Sequence, residues 1–119
     1  MLTAGKASQF ANEWIEAWNN HALERIVAHY TDDIVFSSPF VASIGGVATA
    51  TLCGRAELGA YFKAALSKFP LLRFELRSVF YGTDALTIIY KSVNGLLAAE
   101  TMVLSDEFLV KRVWAQYDK

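Results

Sequence analysis

Few residues of this 119-residue chain combine reactive chemistry with a placement that could use it. Glu100 is the first. It alternates with Ala98 and Met102, so if the segment is a strand, one acidic side chain stands on an apolar, inward face. A carboxyl held there resists ionisation, and near neutral pH it can act as acid or base or donate to a ligand's oxygen. A second reading makes Glu100 a rim carboxylate paired with Arg112 of the next strand. Ser38, in "IVFSSPF" from Ile34 to Phe40, offers a hydroxyl with no adjacent histidine. It stays protonated near neutral pH, so it donates or accepts a hydrogen bond but does not collect a proton. Trp14 offers an indole N–H.

Other reactive types carry less. His21 and His29 sit on or beside a short second helix, where histidines commonly titrate without taking part in chemistry. Cys53, just before Gly54 and a helix start, reads as a small apolar filler rather than an activated thiol. Metal-ligand spacing, a P-loop, a G-x-S-x-G elbow and a dinucleotide fingerprint are all missing, so no metal and no bound cofactor is expected.

Three helices and a sheet must position these groups. Phe10, Trp14 and Trp18 recur every four residues beside Ala7, Ala11 and Ile15, which predicts a helix of about four turns with one apolar face. Leu23, Ile26, Val27 and Tyr30 then continue a helical period after Asn20, a candidate N-cap. "RAELGAYFKAALSKF" stripes Leu58, Tyr61, Phe62, Ala65, Leu66 and Phe69, and Pro70 stops it. From Leu71 the period becomes two, with Leu72, Phe74 and Leu76 alternating with Arg73, Glu75 and Arg77. Turns at "YGTD", "VNG" and "SDE" divide the remainder into four strands, a meander. The expected class is α+β, with three helices on one face of a strongly curved, mostly antiparallel sheet. "SIGGVATAT", Ser43 to Thr51, reads either as a flap over a cavity mouth or as an edge strand with a glycine turn.

Composition bounds the function. With 54% hydrophobic residues, the chain can bury a core as one domain, residues 1–119. A net charge of −1 without a basic stripe argues against nucleic acid. The uncharged run from Ile34 to Gly54 contains nine Ser, Thr, Gly or Pro among 21 residues, too polar for a spanning helix, so no membrane association is expected. One cysteine and no apolar leader before Glu13 fit the cytoplasm.

Three stretches carry a family resemblance: "EAWNNHALERIVAHYTDDIVFSSPF", "GRAELGAYFKAAL" and "ETMVLSDEFLVKRVWAQY". Together they resemble the ketosteroid isomerase and SnoaL-like polyketide-cyclase branch of the nuclear-transport-factor-2-like (NTF2-like) superfamily, from Phe10 to Tyr117. The resemblance implies a cystatin-like cone, a sheet curled around a long helix with an internal apolar pocket. It implies isomerases, cyclases, dehydratases, epoxide hydrolases or plain binding modules, and fold alone does not choose. In the isomerases an aspartate before the strand's proline moves the substrate proton, where this chain has Ser38; a tyrosine on the first helix is replaced by Trp14. Glu100 matches the position of their second oxyanion donor, a carboxylic acid kept neutral by an apolar site. The epoxide-hydrolase arginine is replaced by Ala98.

The pocket so implied would be lined by Trp14, Trp18, Tyr61 and Phe62 from the helices. Phe36, Ser38, Phe40, Tyr90, Met102 and Trp114 would line it from the strands. Tryptophan N–H groups favour a cavity over a sealed core, because ligand or water can satisfy them. The expected ligand is a small apolar alicyclic or aromatic ketone-like compound. It is either bound only, or turned over by an isomerase, cyclase or dehydratase with Glu100 as acid or base. A homodimer through the outer sheet face is the expected assembly, since Leu97, Ala99, Thr101 and Val103 form an apolar set opposite Glu100.

Overall fold

The Thr3 hydroxyl accepts the Lys6 N–H at 3.2 Å and caps α1, Ala4–Asn19. Its Phe10–Trp14–Trp18 face is buried. This computed structural model describes residues 1–45 and 49–119. Asn20 closes α1 rather than opening α2 (Leu23–Val27), whose N-cap is Ala22. There follow β1 (Tyr30–Ser37), a short α3 (Val41–Gly45), β2 (Thr51–Cys53) and α4 (Arg55–Lys68). The chain finishes with β3 (Glu75–Tyr81), β4 (Ala85–Lys91), a 3₁₀ turn at Val93–Gly95, β5 (Leu97–Leu104) and β6 (Val110–Tyr117).

The six strands form one curved, unclosed sheet in the order β2-β1-β6-β5-β4-β3, and only β1 and β6 run parallel. Register sets the faces. Phe36 lies beside Val113, Val113 beside Met102, and Met102 beside Leu86; the next inward row is Ala115, Glu100 and Ile88. Helices α1 and α4 cover this side, and the core lies between. Outward, Ser37, Trp114, Thr101 and Thr87 form the opposing row, with Thr87 and Thr101 hydroxyls 3.0 Å apart.

Three further local expectations change. The alternation from Leu71 is real as burial, since Leu72 and Phe74 are buried, but β3 starts only at Glu75. The preceding backbone is satisfied by side chains instead of a strand. The Asn19 amide donates to the Phe74 carbonyl (2.9 Å) and accepts the Phe74 N–H (2.6 Å), while His21 Nε2 meets the Leu72 carbonyl at 2.9 Å. In "SIGGVATAT", Val41–Gly45 forms an extra helix ahead of the edge strand Thr51–Cys53, and Gly46, Val47 and Ala48 lie outside the described residues. Cys53 is exposed on that edge strand, so it fills no core. Among the described residues, no helix is long and apolar enough to cross a membrane.

Candidate functional site

Where the sheet curls away from α1 and α4 it leaves an apolar cavity of about 100 Å³, open to solvent on one side. Trp18 of α1, and Tyr61 and Phe62 of α4, form one wall. Phe36, Tyr90, Glu100 and Tyr117 come up from four strands to form the other. Phe69, Leu72 and Phe74 close one side through the connection that Asn19 and His21 hold, and Ser92, Asn94 and Leu96 contribute from the β4–β5 turn. Nine of the seventeen lining residues are aromatic, which makes the wall polarizable as well as apolar.

Glu100 is 4% exposed. Its Oε2 accepts the Tyr90 hydroxyl at 2.6 Å, and Oε1 has no hydrogen-bond partner among the described residues. Burial, the larger influence, disfavours the carboxylate; the Tyr90 bond pulls the other way, and the balance raises the Glu100 pKa from 4.5 to about 7. Arg112 does not pair with it. That guanidinium is on the outer face, donating to the Val35 and Val113 carbonyls and to Ser37 Oγ, and it stacks on Trp114 at 4.3 Å. Four tyrosines face the acid from different elements. Burial raises each of Tyr30, Tyr61, Tyr90 and Tyr117, the negative field of Glu100 adds to the effect, and Tyr61 reaches about 12. All four therefore remain neutral donors at neutral pH.

Of the residues expected to line a pocket, Trp18, Phe36, Phe40, Tyr61, Phe62, Tyr90 and Glu100 come together around this one. The other four stand elsewhere. Trp14 is buried behind the wall, its indole N–H spent on the Tyr30 hydroxyl at 2.9 Å. Met102 is fully buried in the sheet's inward row. Ser38 is buried at the end of β1, where its Oγ accepts the Phe40 N–H (3.2 Å) and its nearness tempers the pKa rise of Tyr61 and Tyr117. Trp114 is the clear correction: it is 42% exposed on the outer face beside Arg112, because β6 turns Val113, Ala115 and Tyr117 inward. The serine pair thus divides by face. Ser37 bonds outward to Thr51 (2.9 Å), and Ser38 shapes the turn inside.

Tyr117, Phe74 and Phe69 were not anticipated in the wall. For Tyr117 the signal existed in its parity with Val113 and Ala115, opposite to Arg112 and Gln116. His21 and His29 bind backbone carbonyls outside the cavity, and among the described residues no cluster of His, Cys, Asp and Glu could hold a metal. One polar atom of the wall is left over: Trp18 Nε1 is buried without a partner.

A curved, unclosed sheet wrapped over helices is the arrangement of the cystatin-like, NTF2-like proteins, and the comparisons agree. Residues 11–101 match the SnoaL-like domain. A SnoaL-like protein of unknown function from Burkholderia thailandensis is 36% identical, with all of both chains covered and a TM-score of 0.92. A protein of unknown function with a cystatin-like fold from Methylobium petroleophilum is 14% identical over 99% of this chain and 79% of its own, TM-score 0.77. The epoxide hydrolase/cyclase-like enzyme SalBIII, of pyran ring formation in polyether salinomycin, is 15% identical over 98% of this chain and 94% of its own, TM-score 0.77. The last two share the fold alone. No curated protein matches the chain. The chain belongs to the SnoaL-like domain family.

Proposed function

We propose that this protein binds a small, largely apolar ketone, alicyclic or aromatic, with its oxygen turned to Glu100 and its body against the aromatic wall. One observation carries the reading: a buried carboxyl with no basic partner lines an apolar cavity, and one of its oxygens is free. Protonated, Glu100 donates to a carbonyl oxygen while Tyr90 holds its other oxygen. A thermal-shift panel of terpenoid ketones, steroids and aromatic polyketides tests it, since selective binding to the native state raises Tm by mass action. Selective stabilisation that weakens in Glu100→Ala supports the reading; a flat response across the panel overturns it.

A second reading, turnover by an isomerase, cyclase or dehydratase, is favoured by the same acid. A pKa of about 7 is the value at which a carboxyl can both give and take a proton near neutrality. Product analysis on the ligands that bind distinguishes the two. For assembly we propose a homodimer through the outer sheet face. Trp114 and Leu97 are 42% and 40% exposed there, with Phe80 at 62% on β3. Sedimentation showing only a 13.2 kDa species at micromolar concentration counts against it. Cys53 as an exposed free thiol suits a reducing cytoplasm, the location this reading adopts.

A further inference from the structure

The cavity has a charge asymmetry that a neutral ligand does not use. Among the described residues, Glu100 is the only acid in its lining, and no Lys, Arg or His accompanies it. The titratable groups that feel the Glu100 charge are hydroxyls: Tyr90 of β4, bonded to it, Tyr117 of β6 and Tyr61 of α4 in the same lining, and Tyr30 of β1 behind the wall, bonded to Trp14. Lys68, over the Phe69 ring at 5.9 Å, and Arg73 stand outside the cavity in the adjoining surface groove. An ionised Glu100 is therefore a buried anion without a counter-ion, which is costly until something positive enters. Aromatic faces attract cations through the ring quadrupole, most strongly where water is excluded. Acid and rings together fit an ammonium group on an apolar body.

We propose that the cavity is also a binding site for small organic ammonium ions, alicyclic or aryl-alkyl amines, with Glu100 as counter-ion and Trp18, Phe62, Phe74 and Tyr90 as cation-facing wall. The proposal rests on the same cavity as the ketone reading and assigns a second ligand class to the other protonation state of its acid. A ketone needs Glu100 protonated, as donor; an ammonium ion needs it ionised, as acceptor. The two ligands must therefore respond to pH with opposite slopes. Taking Glu100 at about 7, amine affinity should rise roughly thirtyfold between pH 5.5 and 8.5, and ketone affinity should fall over the same interval.

The test is calorimetric titration at about 0.15 M salt, where the exposed lysine and arginine are largely screened. The probes are cyclohexylmethylamine, cationic throughout this pH range, and its uncharged counterpart cyclohexyl methyl ketone. The expected result is opposite pH slopes, with the amine slope abolished in Glu100→Gln while ketone binding persists through the amide N–H. Tyr90→Phe provides an independent variant. It removes the bond that holds the Glu100 pKa down, so the midpoint of amine binding should move to higher pH. Ketone binding without amine binding overturns this proposal and leaves the ketone reading standing; binding of neither overturns both. Amine affinity that is flat with pH, unchanged in Glu100→Gln, or unmoved in midpoint by Tyr90→Phe also overturns it.

Discussion

Replacing Glu100 by Gln should make the protein increasingly more stable than its parent as pH rises from about 4.5 to about 7, hold that gain above neutrality, and leave stability nearly unchanged below about 4.5. In the folded state Glu100 has a pKa raised from 4.5 to about 7, so the native protein holds a proton that the unfolded chain has already released. The sign follows. Stability from this group is fully present below about 4.5 and is lost as pH rises through about 7, where the native carboxyl must ionise against burial. Across that interval the linkage amounts to about 3 kcal/mol. Gln keeps an oxygen for the Tyr90 hydroxyl and carries no charge, so at pH 9 the variant should gain most of that amount, a Tm increase on the order of 10 °C for a domain of this size. Urea denaturation of both proteins at pH 5, 7 and 9 gives the difference between them, which cancels the contributions of the other carboxylates. The tyrosines do not interfere, since burial raises them all above 10. A difference that stays constant between pH 5 and 9, or one that grows toward acid, would refute the reasoning and place an unseen partner beside Glu100.

Asn19→Ala should cost about 2–3 kcal/mol, since it strips both hydrogen bonds from the Phe74 peptide, and Asn19→Asp should cost less because its carboxylate can still accept the Phe74 N–H; urea midpoints read both. Trp14→Phe should cost about 1–3 kcal/mol by orphaning the fully buried Tyr30 hydroxyl, and Trp14→Phe combined with Tyr30→Phe should recover part of the loss in a double-mutant cycle. With a serine at position 38, whose hydroxyl does not collect a proton near neutral pH, the unmodified protein should not isomerise a β,γ-unsaturated steroid ketone above the buffer rate. Direct assay decides it, and turnover well above the buffer rate overturns it.

The inward set of the meander was readable wherever one face was clearly polar. Glu100 could be placed because Ala98 and Met102 flank it at alternate positions, and the register bears that parity out. The last strand misled for a definite reason. Its outer face holds Trp114 between Arg112 and Gln116, so hydrophobicity alone drew the tryptophan inward and the arginine toward Glu100. The two assignments stood or fell together, since residues 112 and 114 share a face in any strand. Taking Val113 and Ala115 as the inward parity sends both outward, brings Tyr117 in and leaves the acid without a cation. Elsewhere the missing information was not local. A five-residue helix at Val41–Gly45 is too short to show a period, and the clasp of Asn19 on Phe74 joins positions 55 apart in the chain.

That clasp bears on the cavity itself. Phe69, Leu72 and Phe74 form one side of it without being in regular structure, and a segment of that kind ordinarily drifts unless its backbone groups are paired. Asn19 and His21, at the end of the same helix that supplies Trp18, fix it from across the cavity. The wall and its fastening therefore share one element. A change that loosens the end of α1 should open the cavity on the side of Phe74 while leaving the Glu100–Tyr90 pair on β5 and β4 in place, so ligand affinity and the titration of the acid are separable properties of this fold.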